Sequence, residues 1–295
     1  MCLLCLLWLV PVLAPGFATF SCKEEGNTFS SSVTLPFPPF LSCYTDGALA
    51  FSPTRLIDSI LNLLFPVACV VCRAQVLERR WGPACPECWS RLEPLAPPFC
   101  PQCGEPAPAI EGLCGRCRKG EYVFDFARSA LFFTHTLREI IHHLKYAERV
   151  SLAGSLGDIL KGCLDHEPFS GGVVVPVPLH RRRERERGFN QAELIAARLG
   201  GPMERGLLRR RKDTPSQTGL SRSERKRNLA GAFEVRGSVA GTVILVDDVY
   251  TTGSTVNEIA RTLKRAGAQR VEVLTVARVS NEFYRAAETD ISETV

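Results

Sequence analysis

The stretch VILVDDVYTTGSTVNE, Val243 to Glu258, decides how this chain is read. Val243 to Val246 are four apolar, mostly β-branched residues, the pattern of a strand buried in a parallel sheet. They run into two adjacent carboxylates, Asp247 and Asp248, and then into Thr251, Thr252, Gly253, Ser254 and Thr255. Ile259, Leu263 and Ala266 recur on one face of a predicted helix. A hydroxyl-rich turn with a glycine, set between a strand and a helix N-terminus, can cradle a phosphate. First-turn N–H groups and hydroxyls point at the anion, and the helix dipole favours its charge.

The paired acids narrow the ligand. A pocket for phosphate alone has no use for two negative charges beside it, whereas a ribose phosphate with Mg2+ brings vicinal hydroxyls and a cation. A plain strand and helix joined by a polar turn would explain the threonines but not the acids. At these residues the chain resembles the type I phosphoribosyltransferases. Their motif for phosphoribosyl pyrophosphate (PRPP) is an apolar strand, two acids, two variable residues and a Thr-Thr-Gly type loop, and every position is filled here.

Working outward, Val173 to Pro178, VVVPVP, predicts a second buried strand that leads into His180, Arg181, Arg182 and Arg183. In the family resembled, the loop after this strand holds pyrophosphate, and guanidinium forks suit its several oxygens. RERGFNQAELIAARL then predicts one helix starting beside that loop. Leu207 to Arg227 combines a strand end with a long basic insertion. Its place in the order matches the mobile loop that closes over the site in the superfamily, with Arg222, Arg225, Lys226 and Arg227 as the residues that reach in. Val271 to Ala277 predicts the last core strand.

Upstream, Tyr122 to Phe133 reads as a strand or hairpin, Thr136 to Tyr146 as an amphipathic helix and Leu152 to Leu164 as another, with Cys163 as buried filler. His135, His142 and His143 have no carboxylate or cysteine at ligand spacing and read as structural or solvated. Lys145 is a candidate anion contact, a solvated lysine being the plain alternative.

Before that region the cysteines fall into a rhythm: Cys69 and Cys72, Cys85 and Cys88, Cys100 and Cys103, Cys114 and Cys117. Each pair is a CxxC knuckle, separated from the next by 12, 11 and 10 residues. Two knuckles complete a tetrahedral four-cysteine site, so eight ligands predict two closed, structural Zn2+ sites. Sequential ligation is expected, though interleaving, disulfides or an iron–sulfur cluster would use the same residues. Thiolate ligands call for a reducing compartment and point to the cytoplasm.

The 295 residues carry a net charge of +5 and are 45% hydrophobic, normal for a soluble core of one or two domains. The basicity is local: Leu179 to Arg227 holds 15 Lys or Arg against 6 Asp or Glu. Met1 to Ala18 is apolar but lacks a basic start, is broken by Pro11 and Pro15, and is too short for a comfortable membrane span. Residues 1–50 therefore read as a disordered extension, a signal-like segment or a start assigned too far upstream. A short helix from Leu56 to Leu64 is expected before the cysteines.

Taken in order, a multi-cysteine ribbon, VPVPLHRRR with RGFNQ, QTGLSRSERKRN and VDDVYTTGST resemble the ComF family of competence-associated proteins. The resemblance implies an α/β chain with a double zinc ribbon at 56–118, a type I phosphoribosyltransferase fold (a parallel sheet flanked by helices) at 122–280, and a tail at 281–295. It implies that Asp247 and Asp248 hold the ribose hydroxyls and Mg2+, that Thr251 to Thr255 hold the 5′-phosphate, and that Arg181 to Arg183 flank the pyrophosphate. Three functions follow as expectations. The chain is a phosphoribosyltransferase acting on an unknown acceptor in DNA uptake, a PRPP-responsive binder of single-stranded DNA, or a scaffold that docks competence proteins through its ribbon. The basic segment supports DNA binding by charge alone, since Phe189 is its one aromatic residue.

Overall fold

Two strands rich in β-branched residues form the centre of the molecule, β5 (Thr242–Tyr250) and β6 (Arg270–Arg278). Both are buried along most of their length, as strands covered on both faces must be. The computed structural model describes residues 66–77, 81–106, 112–147, 149–164, 171–213 and 227–280, all within one compact unit, Ser52–Val295. β1 (Phe126–Phe132) and β2 (Val173–Pro176) complete a four-stranded parallel sheet in the order β1-β6-β5-β2. A separate antiparallel pair joins β3 (Leu208–Arg210) to β4 (Phe233–Val235).

Neither edge of the sheet is left bare. The Leu95 N–H donates to the Ala130 carbonyl at 2.9 Å and the Phe132 N–H to the Glu93 carbonyl at 2.8 Å, which covers β1 with the segment between the two cysteine groups. On the far side, the Val174 N–H donates to Pro202 and the Glu204 N–H to Val174, each at 2.9 Å. Such covering removes the template that an open strand offers to another chain.

The described helices are α1 (Pro86–Ser90), α2 (Gly115–Arg118), α3 (His135–Tyr146), α4 (Ser151–Leu164), α5 (Arg181–Arg187), α6 (Gln191–Ala196) and α7 (Ser254–Arg265). α4 packs on β1 and β6, and α6 on β2 and β5. α7 buries Val256, Ile259, Ala260 and Leu263 in a core shared with Val243, Leu245, Val271 and Val273. Cys100, Cys103, Cys114 and Cys117 lie in that same core, so the second cysteine group is part of the body of the protein.

Several expectations need correction. The strand that was to end at Val246 continues through both acids to Tyr250, and the second strand stops at Pro176. The single helix expected from RERGFNQAELIAARL is two, α5 and α6. Gly188 caps the first in the left-handed region (φ 81°), and Asn190 caps the second by accepting from the Ala192 N–H at 3.0 Å. Cys163, expected as buried filler, is half-buried, whereas Tyr122 to Phe133 holds a strand, one of the two forms expected there. The expected Leu56–Leu64 helix, residues 1–50 and the tail lie outside the described residues.

Candidate functional site

Asp247 and Asp248 are the sixth and seventh of the nine residues of β5, just before the turn into α7. Asp248 is 4% exposed and forms an ion pair with Lys145 from the end of α3. Gln191 Nε2, at the start of α6, donates to Asp248 Oδ1 at 3.3 Å. Asp247 Oδ1 accepts from the Asp248 backbone N–H at 2.9 Å. The two carboxyls divide their chemistry. Burial and the neighbouring Asp248 charge push the Asp247 carboxyl well above the usual carboxylate range. Asp248 feels the same burial, which is the largest single influence on it, but the Lys145 ammonium together with hydrogen bonds from Asp247, Lys145 and Gln191 holds that carboxyl below its ordinary value.

A second cation stands close by. Arg210 on β3 is 8% exposed, and burial followed by the Arg183 charge lowers its pKa while the Asp247 charge works the other way. Of the three arginines expected at the pyrophosphate, Arg181 and Arg182 are exposed and Arg183 is half-buried, electrostatically coupled to Arg210. Arg182 is engaged elsewhere, with Glu186 at 2.8 Å and Asp213 at 3.7 Å. His180 caps α5, its Nδ1 accepting from the Arg182 N–H at 3.4 Å. Arg222 and Arg225 lie outside the described residues.

The turn itself is tightly held. Gly253 has φ +73°, and a Cβ there would sit 2.2 Å from Tyr250 Oη. Thr252 Oγ1 and Ser254 Oγ are hydrogen-bonded at 2.8 Å, and the Tyr122 hydroxyl donates to the Thr252 carbonyl at 3.1 Å. Asn257 Oδ1 accepts from the Val123 N–H at 2.7 Å, and its Nδ2 donates to the Glu121 carbonyl at 2.9 Å. Thr251, Thr252, Ser254 and Thr255 all keep some exposure, and they stand at the N-terminus of α7, where the first N–H groups of a helix have no intrahelical partner.

The eight cysteines gather sequentially. Cys69, Cys72, Cys85 and Cys88 form one group and Cys100, Cys103, Cys114 and Cys117 the other, each with its ligand atoms within 4.8 Å of one another. Sulfurs about 3.8 Å apart suit a tetrahedral ion with bonds of ~2.3 Å, so the donor set fits structural Zn2+. The local backbone favours a thiolate at one cysteine of each group, while burial pushes up the thiols of Cys85, Cys88, Cys103 and Cys117. Burial alone would raise Cys69, but hydrogen bonds from the backbone of Cys72, Cys85 and Val71 bring it down to about 6, and Cys100 is lowered to about 7 in the same way.

The second group is tied to the sheet by Arg278 of β6, which is 1% exposed. Its guanidinium donates to the Cys103 carbonyl at 2.8 Å, pairs with Glu105 and lies 4.2 Å from the centroid of the Tyr250 ring. Sequence reasoning missed Gln191, Arg210 and Arg278 and named Lys145 only as an anion contact. The signal for Gln191 was its place one residue after an Asn that could cap a helix, which fixes it in the first turn. Nothing local distinguishes Arg210 or Arg278 from the other arginines around them.

Comparison with known proteins matches residues 60–118 to the double zinc ribbon domain and residues 185–290 to the phosphoribosyl transferase domain. The chain is 36% identical over 230 residues to DNA utilization protein YhgH of Escherichia coli (strain K12), across 73% of this chain and 99% of that protein. It is 30% identical over 227 residues to competence protein F of Haemophilus influenzae, covering 72% and 98% of the two chains. It is 29% identical over 220 residues to competence protein ComFC of Bacillus subtilis, covering 71% and 90%. Two sequential four-cysteine groups built against a parallel sheet, with relatives aligned over nearly their whole length, place this chain in the ComF family, a double zinc ribbon joined to a phosphoribosyltransferase domain.

Proposed function

We propose that the rim from Asp247 to Thr255 binds PRPP with Mg2+ and that the protein transfers the phosphoribosyl group to an acceptor nitrogen in DNA uptake or utilization. The observation that carries this reading is the pair of acids on the same strand end that feeds a Gly253-capped helix N-terminus. Asp247 and Asp248 would take the ribose hydroxyls and the cation, and the turn from Thr251 to Thr255 the 5′-phosphate. Arg183, with Arg210 behind it, supplies positive charge for pyrophosphate. In the ligand-free protein Lys145 neutralises Asp248, and the arriving hydroxyls and cation would compete for that carboxylate.

In the reaction, the acceptor nitrogen lone pair forms a bond to C1 of the ribose. The C1–O bond to pyrophosphate breaks, its electron pair leaves with the pyrophosphate oxygen, and the acceptor N–H proton passes to solvent. Bound Mg2+ supplies charge neutralisation for the leaving group. The protein contributes alignment and fixed charges. Thiolate metal sites suit a reducing cytoplasm, and among the described residues no helix is long and apolar enough to cross a membrane.

A second reading is a PRPP-responsive binder of single-stranded DNA without turnover, favoured by the exposed Arg181, Arg182 and Arg185 of α5. Calorimetric titration of PRPP with Mg2+ into the full chain, followed by pyrophosphate release with single-stranded DNA or nucleobases, separates the two. Acceptor-dependent release establishes transfer, and binding without release selects the second reading. An Asp247→Ala, Asp248→Ala double variant is expected to lose PRPP while keeping its zinc. PRPP affinity unchanged in that variant would overturn the site assignment.

A further inference from the structure

Beside the acids stands an aromatic side chain that neither sheet nor ribbon uses. Tyr146 closes α3 and is 67% exposed, the one aromatic among the exposed large hydrophobic side chains of the described residues. Its chain neighbour Lys145 forms the ion pair with Asp248, which brings the end of α3 to the edge of the candidate ribose site. A second connection leads to the same place. Arg187 donates to Gln191 Oε1, and Gln191 donates to Asp248. The Arg187 guanidinium carbon lies 5.3 Å from the centroid of the Tyr146 ring, and the His142 ring lies 4.9 Å away at an interplanar angle of 46°. Tyrosine, imidazole and guanidinium thus form a small cluster of π-surface and positive charge, linked to Asp248 on two sides.

We propose that Tyr146, with Arg187 and His142, is a stacking platform for a planar nitrogen heterocycle, either a free nucleobase or a base of a single strand. This rests on the PRPP reading, because the platform would present that base to the ribose held by Asp247 and Asp248. The chemistry favours this occupant. Every nucleobase has a π-face for an exposed tyrosine, and an arginine beside the ring adds cation–π and stacking attraction. For a base within a strand, the exposed Arg181, Arg182 and Arg185 of the same α5 offer charge to its phosphates. The basic segment lacks a row of aromatics in sequence, and the structure supplies an aromatic from a different element, α3.

The test uses full-length protein and two fluorescent probes, free 2-aminopurine and a short oligothymidylate carrying one 2-aminopurine, titrated by quenching. PRPP with Mg2+ is titrated separately by calorimetry into each variant. Tyr146→Ala is expected to weaken probe binding by about five- to a hundredfold, and Tyr146→Phe to stay within about twofold of the native protein. Both variants should bind PRPP as the native protein does. Tyr146-dependent binding of the free base alone identifies a small acceptor, and of the oligonucleotide alone a DNA strand; both outcomes support the platform. Native protein that binds neither probe overturns it, as does a Tyr146→Ala variant that binds both probes unchanged or loses PRPP as well. Tyr146-dependent probe binding without PRPP binding would leave the platform standing and sink the PRPP reading.

Discussion

At Gly253 the backbone and the packing make the same demand. A side chain there meets a left-handed φ and the hydroxyl of Tyr250, itself only 2% exposed and unable to step aside. Gly253→Ala is expected to destabilise the protein by about 1–3 kcal/mol and to weaken PRPP binding further than that loss explains, because the turn must shift to admit a methyl group. Thermal unfolding and calorimetry on one preparation separate the two effects. Asp247 yields a pH prediction. Its carboxyl holds a proton above the ordinary range, so ribose hydroxyls and a cation meet the neutral form on the acid side and the carboxylate as pH rises. PRPP affinity should therefore increase with pH through the raised Asp247 value, and Asp247→Asn should flatten the profile. Stability runs the opposite way for this group. The folded state binds more protons than the unfolded one between the ordinary aspartate value of 3.8 and the raised value, so stability falls as pH rises through that window.

Among elements, β6 and the second cysteine group act as one piece through Arg278. Removing one partner of a buried ion pair costs about 3–5 kcal/mol where the other charge is left without compensation. Glu105 keeps a second cation, Arg116 at 3.0 Å, so Arg278→Met should cost less than that while still lowering the melting temperature and loosening metal retention at the second group, whose Cys103 carbonyl loses its donor. Arg278→Lys should recover part of both, since it keeps the charge without the fork. A colorimetric zinc-release assay beside a melting curve checks both. None of this was visible along the chain, because Arg278 and Cys103 meet only through the tertiary fold. What could be read locally was the strand, acids and turn of β5 and α7, and the knuckle spacing that foretold two four-cysteine groups. Both are short-range patterns whose chemistry is complete within a few residues. The RERGFNQ segment misled because its charges gave no hydrophobic period, which left Gly188 as an overlooked stop signal.

For the whole molecule, the two cysteine groups play unequal parts. The first meets α4 through its loop, with the Ser155 hydroxyl donating to the Trp81 carbonyl at 3.1 Å, while the second lies inside the core that also holds Tyr250 and Val256, the residues flanking the turn from Thr251 to Thr255. Structural zinc contributes about 10–16 kcal/mol of binding free energy in small domains. Replacing Cys103 and Cys117 by serine is therefore expected to remove both metal and PRPP binding, whereas replacing Cys72 and Cys88 should spare PRPP. Metal analysis and PRPP titration of the two double variants check the contrast. The strand order carries a consequence for synthesis. β6, the last of the described strands to be made, sits between β1 and β5. As the ribosome emits the chain at roughly 5–20 residues per second, β1 and β5 wait with an open edge each until Arg270 to Arg278 has emerged. A message cut short before that point would not give a smaller working protein. It would give two bare strand edges, the very surface that chaperones and proteases act upon.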